Sequence, residues 1–291
     1  MRIIKNIAIT LMTIGLITLI VGLIINKDDL SELFIDHEKY EVLQETGTET
    51  IKNVKIDTLI HNVEFLSSED EFYKVDYHIS ERDVFSFNVE NDTLIITNTR
   101  KRKLFNFSWG RIETPKITVW LPLNFNGKID IKTATGSVDI DDFTLESLYI
   151  NLSTGRVNLN NIVVTNNIII NTSTSTIALT NIECNNLDVD SSTGKITVSD
   201  ANIKGNATFN TSTGSIILTN LDTNYLKAST STGNVTITVS QAKEDYNVDF
   251  STSTGSIYYF DTKLGKELKT NSGNKYIFAS TSTGNITISN K

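Results

Sequence analysis

A short phrase built on Ser-Thr-Gly recurs through the second half of the chain and restricts the fold more than any other feature. Its centres are Gly136, Gly155, Gly194, Gly214, Gly233, Gly255 and Gly284, with Ser175 standing where one more glycine would fall. Centres lie about 19 or 20 residues apart up to Gly233, and the last two intervals are longer. A period of this size marks a repeat architecture, because one unit cannot bury its apolar face alone and neighbours must stack to do so.

Aligning the repeats on their centres separates inside from outside. Seven and five residues before each centre lie apolar or small side chains, from Ile129 and Ile131 through Ala207 and Phe209 to Ile277 and Ala279. Two and four residues after it come Val138 and Ile140 through to Ile286 and Ile288. The early repeats add a third pair: Phe143 and Leu145, Ile162 and Val164, Ile182 and Cys184, Ala201 and Ile203. Such alternation predicts short strands with one buried face. The chain therefore reads as all-β, a parallel β-solenoid of about eight coils of 19–20 residues. At a strand spacing of about 4.8 Å the coils would form a rod of roughly 35 Å.

Each glycine belongs in a turn that needs positive φ, so Ser175 should strain its turn by about 1 kcal/mol or reshape it. Threonine precedes every centre, at Thr135, Thr154, Thr174, Thr193, Thr213, Thr232, Thr254 and Thr283, and predicts a ladder of hydroxyls. If the strand runs straight through its turn, these threonines point inward and Ser173, Ser192, Ser212 and Ser231 outward. That parity argues against an ice-binding face, an idea that a bend at the turn would revive. The last strand, ending at Ser289 to Lys291, is expected at an exposed edge.

Ahead of the repeats, Ile7 to Ile25 is a run of apolar and small residues, about 28 Å as a helix and long enough for a bilayer. Arg2 and Lys5 precede it, and Asp28 and Asp29 follow Lys27. Charge asymmetry places residues 1–6 in the cytoplasm, residues 7–25 in the membrane as a signal anchor and the rest outside. With no A-x-A-like exit and no nearby lipid-accepting cysteine, a retained anchor is preferred to a cleaved signal peptide. Residues 26–50 form an acidic spacer. Residues 51–125 are β-rich without the glycine phrase, and are assigned as a cap for the bare end of the solenoid. Residues 126–291 carry the repeats, with an insertion over 261–276.

A formal charge of −8 excludes a general nucleic-acid binder. Two prolines and 15 glycines are too few for a disordered stalk. Cys184 is the single cysteine, so no intrachain disulfide forms, and its register makes it a buried hydrophobe.

The order of an apolar amino-terminal run, a β-rich lead-in ending in Ile117-Thr118-Val119-Trp120-Leu121-Pro122, and then Ile129-Asp130-Ile131-Lys132-Thr133-Ala134-Thr135-Gly136-Ser137-Val138 resembles the bacterial putative-adhesin family. The carboxyl end, Ala279-Ser280-Thr281-Ser282-Thr283-Gly284-Asn285-Ile286, is similar as well. The resemblance covers about Ile51 to Ser289 and implies a membrane-anchored β-solenoid ectodomain of unknown function, encoded near cell-envelope stress-response genes. It supplies no catalytic residues, and Ser175 departs from the family's glycine pattern.

Two stretches are candidate binding sites. Arg100, Lys101, Arg102 and Lys103 lead into Phe105 and Trp109, a basic-aromatic run suited to anionic headgroups or teichoic-acid phosphates. In the insertion, Lys263, Lys266 and Lys269 stand where solenoids often place binding loops. A charged hairpin tip and a neutral loop are the plain alternatives. Asp139, Asp141, Asp142, Asp188, Asp190 and Asp200 could line a polysaccharide-cutting groove, but most alternate with core positions as a solvated strand face. His37, His61 and His78 lack ligand spacing, and no calcium-binding nonapeptide is present, so no metal or cofactor is expected. The sequence points to a non-catalytic, adhesin-like surface module, with a cell-wall polymer as its partner. An accessory protein of an envelope-stress system is the alternative, and a polysaccharide-active enzyme comes third.

Overall fold

Glycine and asparagine decide where this chain can bend, and the computed structural model shows both at work. It describes residues 10–18, 21, 38–101 and 114–291. Met1–Tyr40 with Lys101–Glu113 form one unit, and Glu41–Arg100 with Thr114–Lys291 form another. In the first, residues 10–18 are helical, and among the described residues no helix is long and apolar enough to cross a membrane.

The second unit is a single, mostly parallel sheet of 19 strands. The lead-in supplies β1 (Glu41–Thr46), β2 (Asn53–Thr58), β3 (Asn62–Ser68), β4 (Lys74–Ile79), β5 (Asp83–Glu90), β6 (Thr93–Arg100) and β7 (Lys116–Pro122). The regular repeats supply β8 (Lys128–Thr135), β9 (Val138–Leu145), β10 (Ser147–Thr193), β11 (Ile196–Thr213), β12 (Ile216–Thr232) and β13 (Val235–Val239). The carboxyl end adds β14 (Tyr246–Thr254), β15 (Ile257–Tyr259), β16 (Thr262–Leu264), β17 (Glu267–Lys269), β18 (Lys275–Thr283) and β19 (Ile286–Asn290). All the apolar positions expected around the centres are buried except Tyr259, which is half-buried. They join one core that runs from Ile51 to Ile288 and includes Cys184.

Two kinds of corner fold each repeat back on itself. Six residues after the centre, Asp142, Asn161, Asn181, Asp200 and Asn220 take φ between 54 and 61°, the left-handed region that these side chains tolerate best after glycine. Their side chains bond up the stack: Asn161 Nδ2 donates to Asp142 Oδ1 at 2.8 Å, Asn181 to Asn161 at 2.7 Å and Asn220 to Asp200 at 2.6 Å. The ladder continues through these corners, so β10 extends over 47 residues.

The second corner is the Ser-Thr-Gly phrase. Six of its glycines have φ between 143 and 156°. A Cβ on Gly214 would lie 1.9 Å from the Gly194 carbonyl oxygen, and one on Gly233 2.0 Å from that of Gly214. Ser175 avoids positive φ, so its turn is reshaped, with the side chain buried and Oγ without a hydrogen-bond partner.

The threonine parity expected from the sequence is corrected here. The strand bends before the glycine, so both the serine and the threonine preceding it are exposed, as at Ser212 and Thr213. The residue three before the centre is buried instead, except for the half-buried Thr172. Thr230 Oγ1 donates to the Gly214 carbonyl at 3.0 Å, Thr281 to Gly233 at 3.0 Å and Thr252 to Gly284 at 2.9 Å. The hydroxyl ladder that stabilises the corner is this inner one.

Spatial order differs from chain order at both ends. β2 lies between β6 and β8, and β3 between β7 and β9, so the first turn of chain sits inside the second. At the other end β18 lies between β12 and β14, and β19 between β13 and β15. The strand expected as an exposed edge is therefore enclosed on both sides, and the turn of Gly255 is the outer one. The insertion folds back as β16 against β15 and β17 against β14, both antiparallel, covering that outer edge. At the lead-in end, β4 pairs antiparallel with β7, β1 with β4 and β5 with β6.

Two outcomes follow from these contacts. Thr230→Val should lower stability by about 1 kcal/mol through a lost buried hydrogen bond, whereas Thr232→Val on the exposed ladder should stay within about 0.5 kcal/mol of wild type, both read from urea midpoints. Deleting residues 275–291 should open a slot inside the stack, so that hydrogen exchange accelerates across β14 and β15 as well as across β12 and β13. Loss of protection confined to one side would show that β18 and β19 do not bridge the two.

Candidate functional site

Eight residues before the centre the side chain faces outward in every repeat but that of Gly255, and along the stack this row holds Asn167, Asn186 and Asn206. Asn186 Nδ2 donates to Asn167 Oδ1 at 2.9 Å, and the Asn206 backbone N–H to Asn186 Oδ1 at 3.0 Å. The amide row then gives way to Tyr225 and Tyr276, paired across β12 and β18 and 41% and 53% exposed. The next member, Asn247, is buried and clamps the insertion: its Nδ2 donates to the Gly273 carbonyl at 2.7 Å, and Gly273 N–H donates to its Oδ1 at 2.9 Å.

Between the two tyrosines and the insertion lies a groove of about 520 Å³, lined also by Phe278, Asp249, Lys269, Thr270 and Asn271. Its far wall is fixed to the stack. Thr270 N–H donates to the Val248 carbonyl at 2.9 Å, and Val248 N–H donates to Thr270 Oγ1 at 3.1 Å. Lys269 Nζ sits 3.0 Å from Asp249 Oδ2, and Lys275 is ion-paired with Asp222. Aromatic rings with a few polar groups in a pre-formed concavity are the usual make-up of a ligand site. A second cleft of about 270 Å³, between Lys52, Glu71, Tyr73 and Phe125, has a mostly polar lining.

Of the lysines expected from the insertion, Lys269 lines this groove, Lys266 Nζ donates to the Ser253 carbonyl at 2.7 Å, and Lys263 is exposed on β16 opposite Tyr258. The three are not brought together at one site. Tyr225, Tyr276 and Phe278 were missed in the sequence reading. Their signal is positional, an aromatic residue at an outward register filled elsewhere mainly by amides, charges and hydroxyls.

Arg100 does not stand free at the head of a basic patch. Its side chain is 11% exposed, with Nε 3.4 Å from Asp83 Oδ1, and Asp83 also accepts from Ser80 Oγ at 2.7 Å. Lys101 is exposed, and Arg102, Lys103, Phe105 and Trp109 lie outside the described residues. Four of the six carboxylates weighed for catalysis serve as rungs. Asp139 accepts from Asn158 at 2.5 Å and Asp190 from Asn210 at 2.7 Å, as Asp142 and Asp200 do at the corner. Burial, and then the neighbouring Asp190, raise the pKa of Asp188. No cluster of metal-binding side chains occurs among the described residues.

His61 is fully buried at the corner beneath Gly136. Its Nε2 donates to the His78 carbonyl at 2.9 Å, which leaves Nδ1 to accept from Thr58 Oγ1 at 3.0 Å. Burial is the main cause of its lowered pKa, so the fold holds it neutral. Below its ordinary value near 6.5 the unfolded chain binds the proton first, and stability should fall as pH drops from there toward the folded pKa. His61→Gln should flatten that part of the pH profile of urea midpoints. An unchanged slope between about pH 7 and 5 would assign the acid sensitivity elsewhere.

No curated protein sequence matches the chain. Among solved structures, a putative lipid binding protein from Parabacteroides distasonis is similar with a TM-score of 0.55 at 17% identity, over 86% of this chain and 96% of that one. A putative adhesin from the same organism aligns with a TM-score of 0.46 at 13% identity, over 89% and 99%. One from Bacteroides fragilis aligns with a TM-score of 0.44 at 16% identity, over 85% and 97%. None of the three is named for an enzyme. Residues 51–289, from the first buried isoleucine of the lead-in to the last strand, match the Toastrack DUF4097 family, and the chain belongs to that family.

Proposed function

We propose that this chain is a non-catalytic, adhesin-like surface module of a bacterial cell envelope that holds a wall polymer in the groove at its carboxyl end. The observation that carries the reading is the replacement of a closed amide row by two exposed tyrosines beside a pinned wall. An exposed ring costs apolar hydration at every turn of solvent, and a ligand that covers it recovers that term. We read the stacked ladder as a β-solenoid of about eight coils, with the lead-in as its amino-terminal cap.

The membrane anchor belongs to the same proposal. The helical residues at 10–18 expose Leu11, Met12, Ile14, Leu16 and Ile17, which suits a lipid environment. Thr13 Oγ1 donates to the Thr10 carbonyl at 2.9 Å and Thr18 Oγ1 to that of Ile14 at 2.7 Å, so these hydroxyls are satisfied within the helix. With the positive residues ahead of the run, the ectodomain would face outward. A binding role also agrees with the similar structure from Parabacteroides distasonis, a putative lipid binding protein. An accessory role in envelope-stress signalling would use the same anchor.

The full chain in detergent micelles, mixed with purified peptidoglycan and wall polymers, should be retained without releasing sugar ends. Release of reducing ends would overturn the non-catalytic reading, and absence of retention would overturn the wall-polymer reading.

A further inference from the structure

The charges around the groove indicate what kind of polymer it accepts. Lys269, the lysine that lines the groove, is paired with Asp249, and Lys275, next to Tyr276 in the chain, with Asp222. A phosphate entering the groove would have to displace those carboxylates, on a chain whose formal charge is −8. Like charge at a contact penalises such a ligand. Beside these pairs the groove offers ring surface, from Tyr225 and Tyr276, with Phe278 half-buried between Lys227 on β12 and Asp249 on β14.

A ligand matched to this lining has an apolar face to cover the rings and a rim of uncharged donors and acceptors. A pyranose has both: axial C–H groups on one face and equatorial hydroxyls around the edge. The hydroxyls can donate to the Asp249 carboxylate and accept from the Lys269 ammonium, while the Asn271 side chain, exposed on the insertion, can do either. Such bonds to charged groups are stronger than neutral ones, so the ion pair serves a sugar better than it serves a polyanion. The wall stands on the Asn247 clamp and the Thr270 ladder, so it is set before the ligand arrives. Its volume of about 520 Å³ falls within the range of small-molecule sites.

We propose that the groove binds an uncharged pyranose glycan, with sugar rings laid on Tyr225 and Tyr276 and their hydroxyls read by Asp249, Lys269 and Asn271. The proposal rests on the wall-polymer reading above and narrows it to neutral sugars.

The test uses the full chain in nanodiscs against three probes: neutral oligosaccharides of glucose, galactose, mannose and N-acetylglucosamine, lipoteichoic acid, and phosphatidylglycerol vesicles. At least one neutral oligosaccharide should bind saturably, with an affinity that changes little between about 0.05 and 0.5 M salt. Tyr225→Ala and Tyr276→Ala should each weaken it about tenfold or more, while Tyr276→Phe retains it. Unchanged thermal midpoints would show that the variants are folded. Failure of every neutral oligosaccharide to bind overturns the proposal, as does salt-sensitive binding to lipoteichoic acid or vesicles alone. If wall retention persists in the Tyr225→Ala/Tyr276→Ala double variant, the groove is the wrong site and the module reading stands. If wild type is not retained at all, both fail.

Discussion

At the corners of Gly214, Gly233, Gly255 and Gly284 a buried threonine three residues before the centre donates its hydroxyl to the glycine carbonyl of the neighbouring turn, and the centre's own glycine lies too close to that carbonyl to carry a side chain. This one contact sets the later turns. It fixes the register of the parallel ladders, which places the isoleucines, valines and leucines on either side inside. It also fixes the bend, which turns the outer serine and threonine to solvent. The asparagine corner is gentler, since a side-chain amide can both tolerate the left-handed backbone and bond to its neighbours above and below. A buried core then forms without a disulfide and with little need for long loops.

Periodicity made the interior legible. Burial at seven and five residues before the centre, and at two and four after it, depends only on strand parity, and parity survives in sequence. The corner did not yield to the same argument, because a bend resets parity: Thr211 and Thr213 look equivalent in the repeat, yet one is buried and the other exposed. The asparagine corner was readable, through Asp142, Asn161, Asn181, Asp200 and Asn220 at a constant offset, but was overshadowed by the glycine phrase. The order of the terminal turns was not readable. Val235 can pair equally well with Ile257 or with Ile286, since all three occupy the same position in the repeat, and only the length of the insertion hints at the detour.

The site was partly legible for a related reason. The insertion drew attention as a break in the period, and its Lys269 does line the groove. The tyrosines that complete it belong to the regular repeats and stand out only against the outward rows. Reading a repeat protein by its core positions suppresses this signal, because outward positions vary freely and an aromatic there looks like noise. Arg100 shows the opposite error: a basic residue beside aromatics suggested a surface patch, while its partner Asp83 is buried.

The enclosure of β18 and β19 also determines how the molecule answers a mechanical load. A strand at the end of a stack comes away by peeling, one hydrogen bond at a time along one ladder. A pull on Lys291 meets β19 held between β13 and β15, and behind it β18 held between β12 and β14, so two ladders are loaded together and along their length. Shearing parallel ladders in this way requires many bonds to fail at once. The carboxyl end is thus the grip of the stack rather than its loose end.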